Sequence, residues 1–372
     1  MTAIVSARDR LSEAVVRWSG RPTLLAIAVM NVITGVAMGV TIAGANFGVD
    51  SGLYRQCAVL LAEGHMEFCG FLYSPLMALA ARPLTWVSPT AAILVMSLIG
   101  AAILLTGVAL ETRGQALVDR VLIAISALTF APVVYELMLG QTTLLIAATL
   151  YPIARRQDGF RNGIPFGVAL ALAPKPLLVP VLFWMLVWRR RALTTTIVAA
   201  SILTGIGIAV LGLEQYRSWF TVITGAGRES VSGTFVLSAE ALGNRSLWPL
   251  NPATFLVGCV VVVVTAWAIV RDASRGFVAS LFAGLLLAPY SLLYAFSILL
   301  LAVKPGLEFA PRTVRALALT ANLARYAPAA FIIWSLVGLS RCLSLGGTSI
   351  GGVLNRAAQR RYPSTERVSA DD

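Results

Sequence analysis

The chain has 372 residues, 58% of them hydrophobic and only 12% charged, against about 25% charged in soluble domains. That balance excludes an ordinary soluble fold and marks an integral membrane protein. The net charge of +12 comes from arginines at the ends of apolar runs, so it reports topology and lipid headgroups rather than nucleic-acid binding.

In chain order, Arg8, Arg10, Arg17 and Arg21 make a basic N-terminus over residues 1–22, and Lys and Arg mark the cytoplasmic side. The apolar run 24–45 is too long for a signal-peptide core and lacks a cleavage site, so a retained first helix is expected. It delivers NFGVDSGLYRQ, residues 46–56, to the outer face, with Asp50 at the helix mouth and Tyr54 four residues on. The outer loop, about 46–72, also carries Cys57, His65 and Cys69. The two cysteines could close it by a disulfide in an oxidising compartment, whereas Cys259 and Cys342 read as packing residues. His65 lies between Glu63 and Glu67, but a surface-loop histidine is the simpler reading, and no metal site is expected. A short proline-bounded segment over 71–86 suits the outer interface.

Further apolar runs cover 91–110, 192–213, 254–270 and 276–303, and basic clusters recur at 113–120, 155–161, 189–191, 271–275 and 356–367. If every cluster is cytoplasmic, each stretch between them leaves and returns. Two returns are short and broken, at YELMLGQTT (135–143) and at APKP (173–176). Gly140 suits the first break; Pro174 and Pro176 suit the second, because proline removes a backbone donor and clashes with a continuing helix. Both read as helical hairpins with apices on, or short of, the outer face. The polar segment 214–252 falls outside as well, as does 304–315 despite its basic residues.

Backbone groups in lipid must bond within their own segment, so the runs are helices, and the alternation of a membrane β-barrel is absent. The expected fold is an all-α polytopic membrane protein of about ten transmembrane helices with short broken or re-entrant helices. The membrane domain covers 23–346, a basic tail follows over 347–372, and both termini are cytoplasmic.

This parity gathers Asp50, Glu136, Gln141, Lys175 and the 214–252 loop on one side, and polar groups at membrane depth are costly and usually functional. Each has two readings. Asp50 is a general base for an attacking hydroxyl or a solvated helix cap. Lys175, between two prolines, pairs with a phosphate or snorkels to anchor its hairpin. Glu136 and Gln141 bind sugar hydroxyls or satisfy the broken backbone of their own turn. No glycine-rich phosphate loop follows a strand, so an activated substrate would come from the membrane and not from a soluble nucleotide sugar.

Several stretches in sequence order resemble glycosyltransferase family 87, multipass membrane hexosyltransferases of the GT-C type. Its best-known members are polyprenyl-phosphate-mannose-dependent mannosyltransferases. The stretches are VDSGLY from Val49, FLYSPLMALAARPL from Phe71, GQTTLLIAATL from Gly140, ALALAPKPLLVPVLFWMLVWRRR from Ala169, GNRSL from Gly243 and LLLAPYSLLYAFSILLLAV from Leu285. The resemblance implies inverting transfer of a hexose, such as mannose, from a polyprenyl-phosphate sugar to an extracytoplasmic lipid or glycan acceptor, without a cofactor. It makes Asp50 the general base. Lys175 would hold the donor phosphate, and Gln141 and Asn244 would line the sugar or acceptor site, with Tyr54, Glu136 and Tyr294 as further candidates for binding substrate. Tyr294 and Ala295 stand near where members often place a histidine or an acidic residue; a phenol donates a hydrogen bond but is a poor base at neutral pH.

The competing function is transport or flipping of lipid-linked sugars, since broken helices with polar apices also build transporter sites. A transporter is expected to repeat its breaks in both halves, and here both breaks lie in the middle third.

Overall fold

The computed structural model describes residues 24–26, 28–40, 42–43, 47–64, 73–155, 158–229, 252–287 and 293–302. Most of these residues are helical, and no strand occurs among them. The apolar helix α1 covers Leu24–Val40. It is followed by α2 (Val49–Glu63), α3 (Pro75–Ala80), α4 (Pro89–Glu111), α5 (Leu117–Leu128), α6 (Ala131–Leu139), α7 (Thr143–Arg155) and α8 (Phe160–Leu172). Then come α9 (Val179–Trp188), α10 (Arg190–Leu211), α11 (Leu213–Glu229), α12 (Pro252–Arg271) and α13 (Ala273–Leu287). Short 3-10 segments occupy Arg82–Trp86, Pro176–Leu178 and Leu293–Ala302.

Two helices, α4 with 23 residues and α10 with 22, are each long and apolar enough to cross a bilayer. The pair α5 and α6 qualifies only as one span bent by 59°. Leu98 on α4 and Val210 on α10 are about two-thirds exposed, at 67% and 65%. An exposed apolar surface on this scale belongs in lipid, and the chain is a membrane protein.

Local chemistry accounts for several boundaries. Pro89 stands at the start of α4, where its missing donor costs nothing, and the Ser88 side chain accepts from the Ala91 N–H at 3.2 Å. Asp158, in the turn after α7, accepts the Arg191 and Ala192 N–H groups at 3.1 and 3.0 Å and so caps α10. Helices α8 and α10 meet backbone to backbone: a Cβ on Gly163 would lie 2.0 Å from the Ala192 carbonyl oxygen. Small residues at such a crossing are how membrane helices gain contact where lipid supplies no hydrophobic drive. Trp184, Phe130, Phe166, Leu150 and Met185 fill the core. Two indole N–H groups tie α9 to its neighbours, Trp184 to the Ala273 carbonyl at 2.7 Å and Trp188 to the Ile269 carbonyl at 2.6 Å.

One expected run differs. Residues 276–303 are not a single α-helix: α13 ends at Leu287, and Leu293–Ala302 are wound as 3-10. In the sequence, Pro289 lies between the two pieces. The segment after α10 opens with a helix, α11, whose Tyr216 packs with Leu76 of α3.

Candidate active site at two helix breaks

The first break separates α6 from α7. Gly140 takes the left-handed conformation, φ 74°, and its N–H returns to the Glu136 carbonyl at 3.0 Å. A Cβ there would lie 2.7 Å from the Ser51 Cβ, so both its backbone angle and its neighbour require glycine. Beyond it, α7 begins at Thr143. The Glu136 carboxylate, within the preceding helix, accepts the Leu144 N–H through one oxygen and the Ser297 hydroxyl through the other. Burial of both partners is complete or nearly so. Here Glu136 caps the first turn of α7, where amide donors are otherwise orphaned.

The second break runs from Ala173 to Leu178. Leu172 ends α8, Lys175 is extended, and Pro176 opens the 3-10 turn leading into α9. Ser74, just before α3, closes the end of α8: its hydroxyl donates to the Ala171 carbonyl at 2.5 Å and its N–H to the Leu172 carbonyl at 3.2 Å. The residue before it, Tyr73, reaches the first break instead. Tyr73 and Ser74 therefore stitch the two breaks together.

Helix α2 is brought to the same place. Gly48 donates its N–H to the Met138 carbonyl at 2.8 Å, so α2 starts against the end of α6. Asp50 lies in the first turn of α2, where the helix dipole favours a negative charge. It is half-buried, and burial raises its pKa above the ordinary 3.8. A side-chain hydrogen bond from Gln141 and the charge of Lys175 pull in the opposite direction.

Around Asp50 the polar groups interlock. The Gln141 Oε1 accepts the Tyr54 hydroxyl at 3.3 Å and the Tyr73 hydroxyl at 2.5 Å. The two rings meet edge to face, with centroids 5.4 Å apart. The Lys175 Nζ donates to the Thr143 hydroxyl at 2.8 Å and lies 5.6 Å from the centre of the Tyr73 ring. Its charge reaches both Asp50 and Glu136.

Asp50, Tyr54, Gln141 and Lys175, expected from the sequence, thus share one cluster, with Glu136 at its base. Tyr294 belongs to the 3-10 segment, three residues before Ser297. Asn244, His65, Glu67 and Cys69 lie outside the described residues. Cys57 is disulfide-bonded, while Cys259 is free and exposed. Among the described residues no three His, Cys, Asp or Glu side chains converge as a metal site would require. Tyr73, Ser74, Thr143 and Ser297 escaped the sequence reading. Only Tyr73 and Ser74 carried a signal, as the start of a proline-led helix.

Fold and cluster together define a helical membrane protein with a carboxylate, an amide, two phenols and an ammonium gathered where two helices break. Residues 71–295 match the family model for glycosyltransferase family 87. The chain belongs to that family and is a membrane glycosyltransferase. The matched span includes Tyr73, Glu136, Gln141, Lys175, Asn244 and Tyr294 and begins downstream of Asp50 and Tyr54. No curated protein and no solved structure matched the chain.

Proposed function

We propose that the protein transfers a hexose, mannose being the first candidate, from a polyprenyl-phosphate sugar to an extracytoplasmic lipid or glycan acceptor. The reading is supported by Asp50, Gln141 and Lys175 lying close enough to act on one another's charge where two helices break, with Gln141 and Lys175 held by Tyr54, Tyr73 and Thr143. In the reaction the acceptor hydroxyl attacks C1 of the donor sugar and gives its proton to the Asp50 carboxylate. The new C1–O bond forms on the face opposite the phosphate, the C1–O bond to phosphate breaks, and polyprenyl phosphate leaves. Transfer is a single displacement with inversion. Lys175, held by Thr143, balances charge on the departing phosphate. Tyr54 and Gln141 border the sugar, Glu136 keeps the turn beneath it, and Asn244 and Tyr294 complete the acceptor side.

A lipid-borne donor is supported by a cavity of about 400 Å³ running beside α7, a size within the usual range for ligand sites. One end meets Leu144 and Ser297, the two partners of Glu136, and the other meets Glu111 and Arg155. Between them the walls are Ala102, Leu104, Ile123, Ala147, Leu300 and Leu301. The Thr106 and Thr112 hydroxyls donate to carbonyls of their own helix at 2.8 and 2.7 Å, and Arg155 pairs with Glu111 at 2.5 Å. The space left is apolar and fits a hydrocarbon chain better than water.

In this reading the protein crosses the cell membrane about ten times with both termini cytoplasmic, so the cluster faces outward. The test uses membranes containing the full-length protein and polyprenyl-phosphate mannose labelled in the sugar. Label is expected to move to an endogenous lipid or glycan with inverted anomeric configuration. Transfer that requires a soluble nucleotide sugar would overturn the donor assignment.

A further inference from the structure

The Gln141 amide has one carbonyl oxygen and one nitrogen bearing two hydrogens, and a half-turn about its last bond exchanges them. Two phenols donate to the same oxygen, Tyr54 at 3.3 Å and Tyr73 at 2.5 Å. Tyr54, Tyr73 and Gln141 are buried, and the two rings meet edge to face beside the amide. With its oxygen engaged on that side, the amide has only N–H groups to offer elsewhere. Asp50 is its other polar neighbour, and an ionised carboxylate can only accept. The reversed amide would set oxygen against carboxylate.

We propose that Tyr54 and Tyr73 are positioning residues that lock the Gln141 amide with its N–H edge toward Asp50, fixing the orientation of the carboxylate that accepts the acceptor's proton. The assignment of that role rests on the proposed transfer reaction; the lock itself does not. Tyr73 is well placed for it. Ser74 anchors the adjoining backbone to the end of α8, and the Tyr73 ring also flanks the Lys175 ammonium. The ionisable groups facing Asp50 are Lys175 from the second break, Tyr73 ahead of α3 and Tyr135 from α6. None of these is altered in charge at neutral pH by a phenol-to-phenyl change.

The test reads the protonation of Asp50 without any substrate. Dicyclohexylcarbodiimide adds to protonated carboxyls in apolar surroundings, and mass spectrometry of the Asp50 peptide across a pH series gives its midpoint. Full-length wild type, Tyr54→Phe, Tyr73→Phe, Gln141→Leu and the combined variants are compared in detergent. Losing the lock removes a donor that favours the charged form. The midpoint in Tyr73→Phe is therefore expected to rise by roughly half to one pH unit, and Gln141→Leu should rise by at least as much. Tyr73→Phe in the Gln141→Leu background should add nothing. A Tyr73→Phe midpoint equal to wild type, or a shift that survives in that background, overturns the proposal. Should Gln141→Leu not fold, the two Tyr→Phe variants decide alone, since each keeps its ring and loses one oxygen. If Asp50→Asn retains full transfer while these shifts appear, the lock stands and the base assignment fails.

Discussion

The two helix breaks solve one physical problem in different ways. Where α6 gives way to α7, the chain keeps its amide hydrogens and must find partners for them, so Glu136 turns inward to the Leu144 N–H and Ser297 fills its second oxygen. Where α8 gives way to α9, Pro174 and Pro176 have no N–H to satisfy, and the open carbonyls of α8 are met from outside by Ser74. The first break consumes its carboxylate. The second leaves its charged residue, Lys175, reaching across to Thr143. A polar residue at a broken membrane helix is thus no sign of a site by itself; what matters is whether the break has already used it.

That contrast can be broken by substitution. Lys175→Met is expected to give the largest catalytic change short of removing the base, about 100-fold in kcat/KM, with the protein still inserted. Lys175→Arg should recover part of the loss. Steady-state kinetics against the polyprenyl-phosphate donor would show it, and wild-type values for the methionine variant would return Lys175 to the role of hairpin anchor. Glu136→Ala should act on stability instead, because a buried amide and a hydroxyl lose their acceptor at a cost of about 1–3 kcal/mol. Thermal unfolding in detergent would register a lower midpoint, with donor KM near wild type in the folded fraction. An unchanged midpoint with a raised KM would place Glu136 on substrate.

The smallest effect is on pH. Burial raises the pKa of Asp50 above 3.8, and a base works only when deprotonated. Activity should therefore fall on the acidic side at a pH above the ordinary aspartate range, and recover as pH rises through that pKa. In Tyr73→Phe the acidic limb should move further toward neutral, whereas a limb identical to wild type would separate Tyr73 from the base.

Much of this was legible in the sequence. The breaks announce themselves through Gly140 and the paired prolines, because those residues act on the local backbone. Asp50, Gln141 and Lys175 stand out because charge and amide are costly in an apolar chain. What stayed hidden is tertiary. Ser297 meets Glu136 across 161 positions and Tyr73 meets Gln141 across 68, and serine and tyrosine are too ordinary in such chains to draw notice. For Glu136 the sequence offered sugar binding and turn satisfaction side by side, and its contacts are those of the turn. The apolar run 276–303 looked continuous because hydropathy does not distinguish an α-helix from the 3-10 winding of Leu293–Ala302.

The central claim is that Asp50 is the group that takes the acceptor's proton. The most direct measurement compares glycolipids and envelope glycans of a deletion strain carrying either wild type or Asp50→Asn, with both proteins quantified in the membrane. A hexose-bearing species that wild type restores and Asp50→Asn does not, with a transfer rate at least about 100-fold lower in isolated membranes, is the predicted result. Full restoration by the asparagine variant at equal protein level would contradict the account.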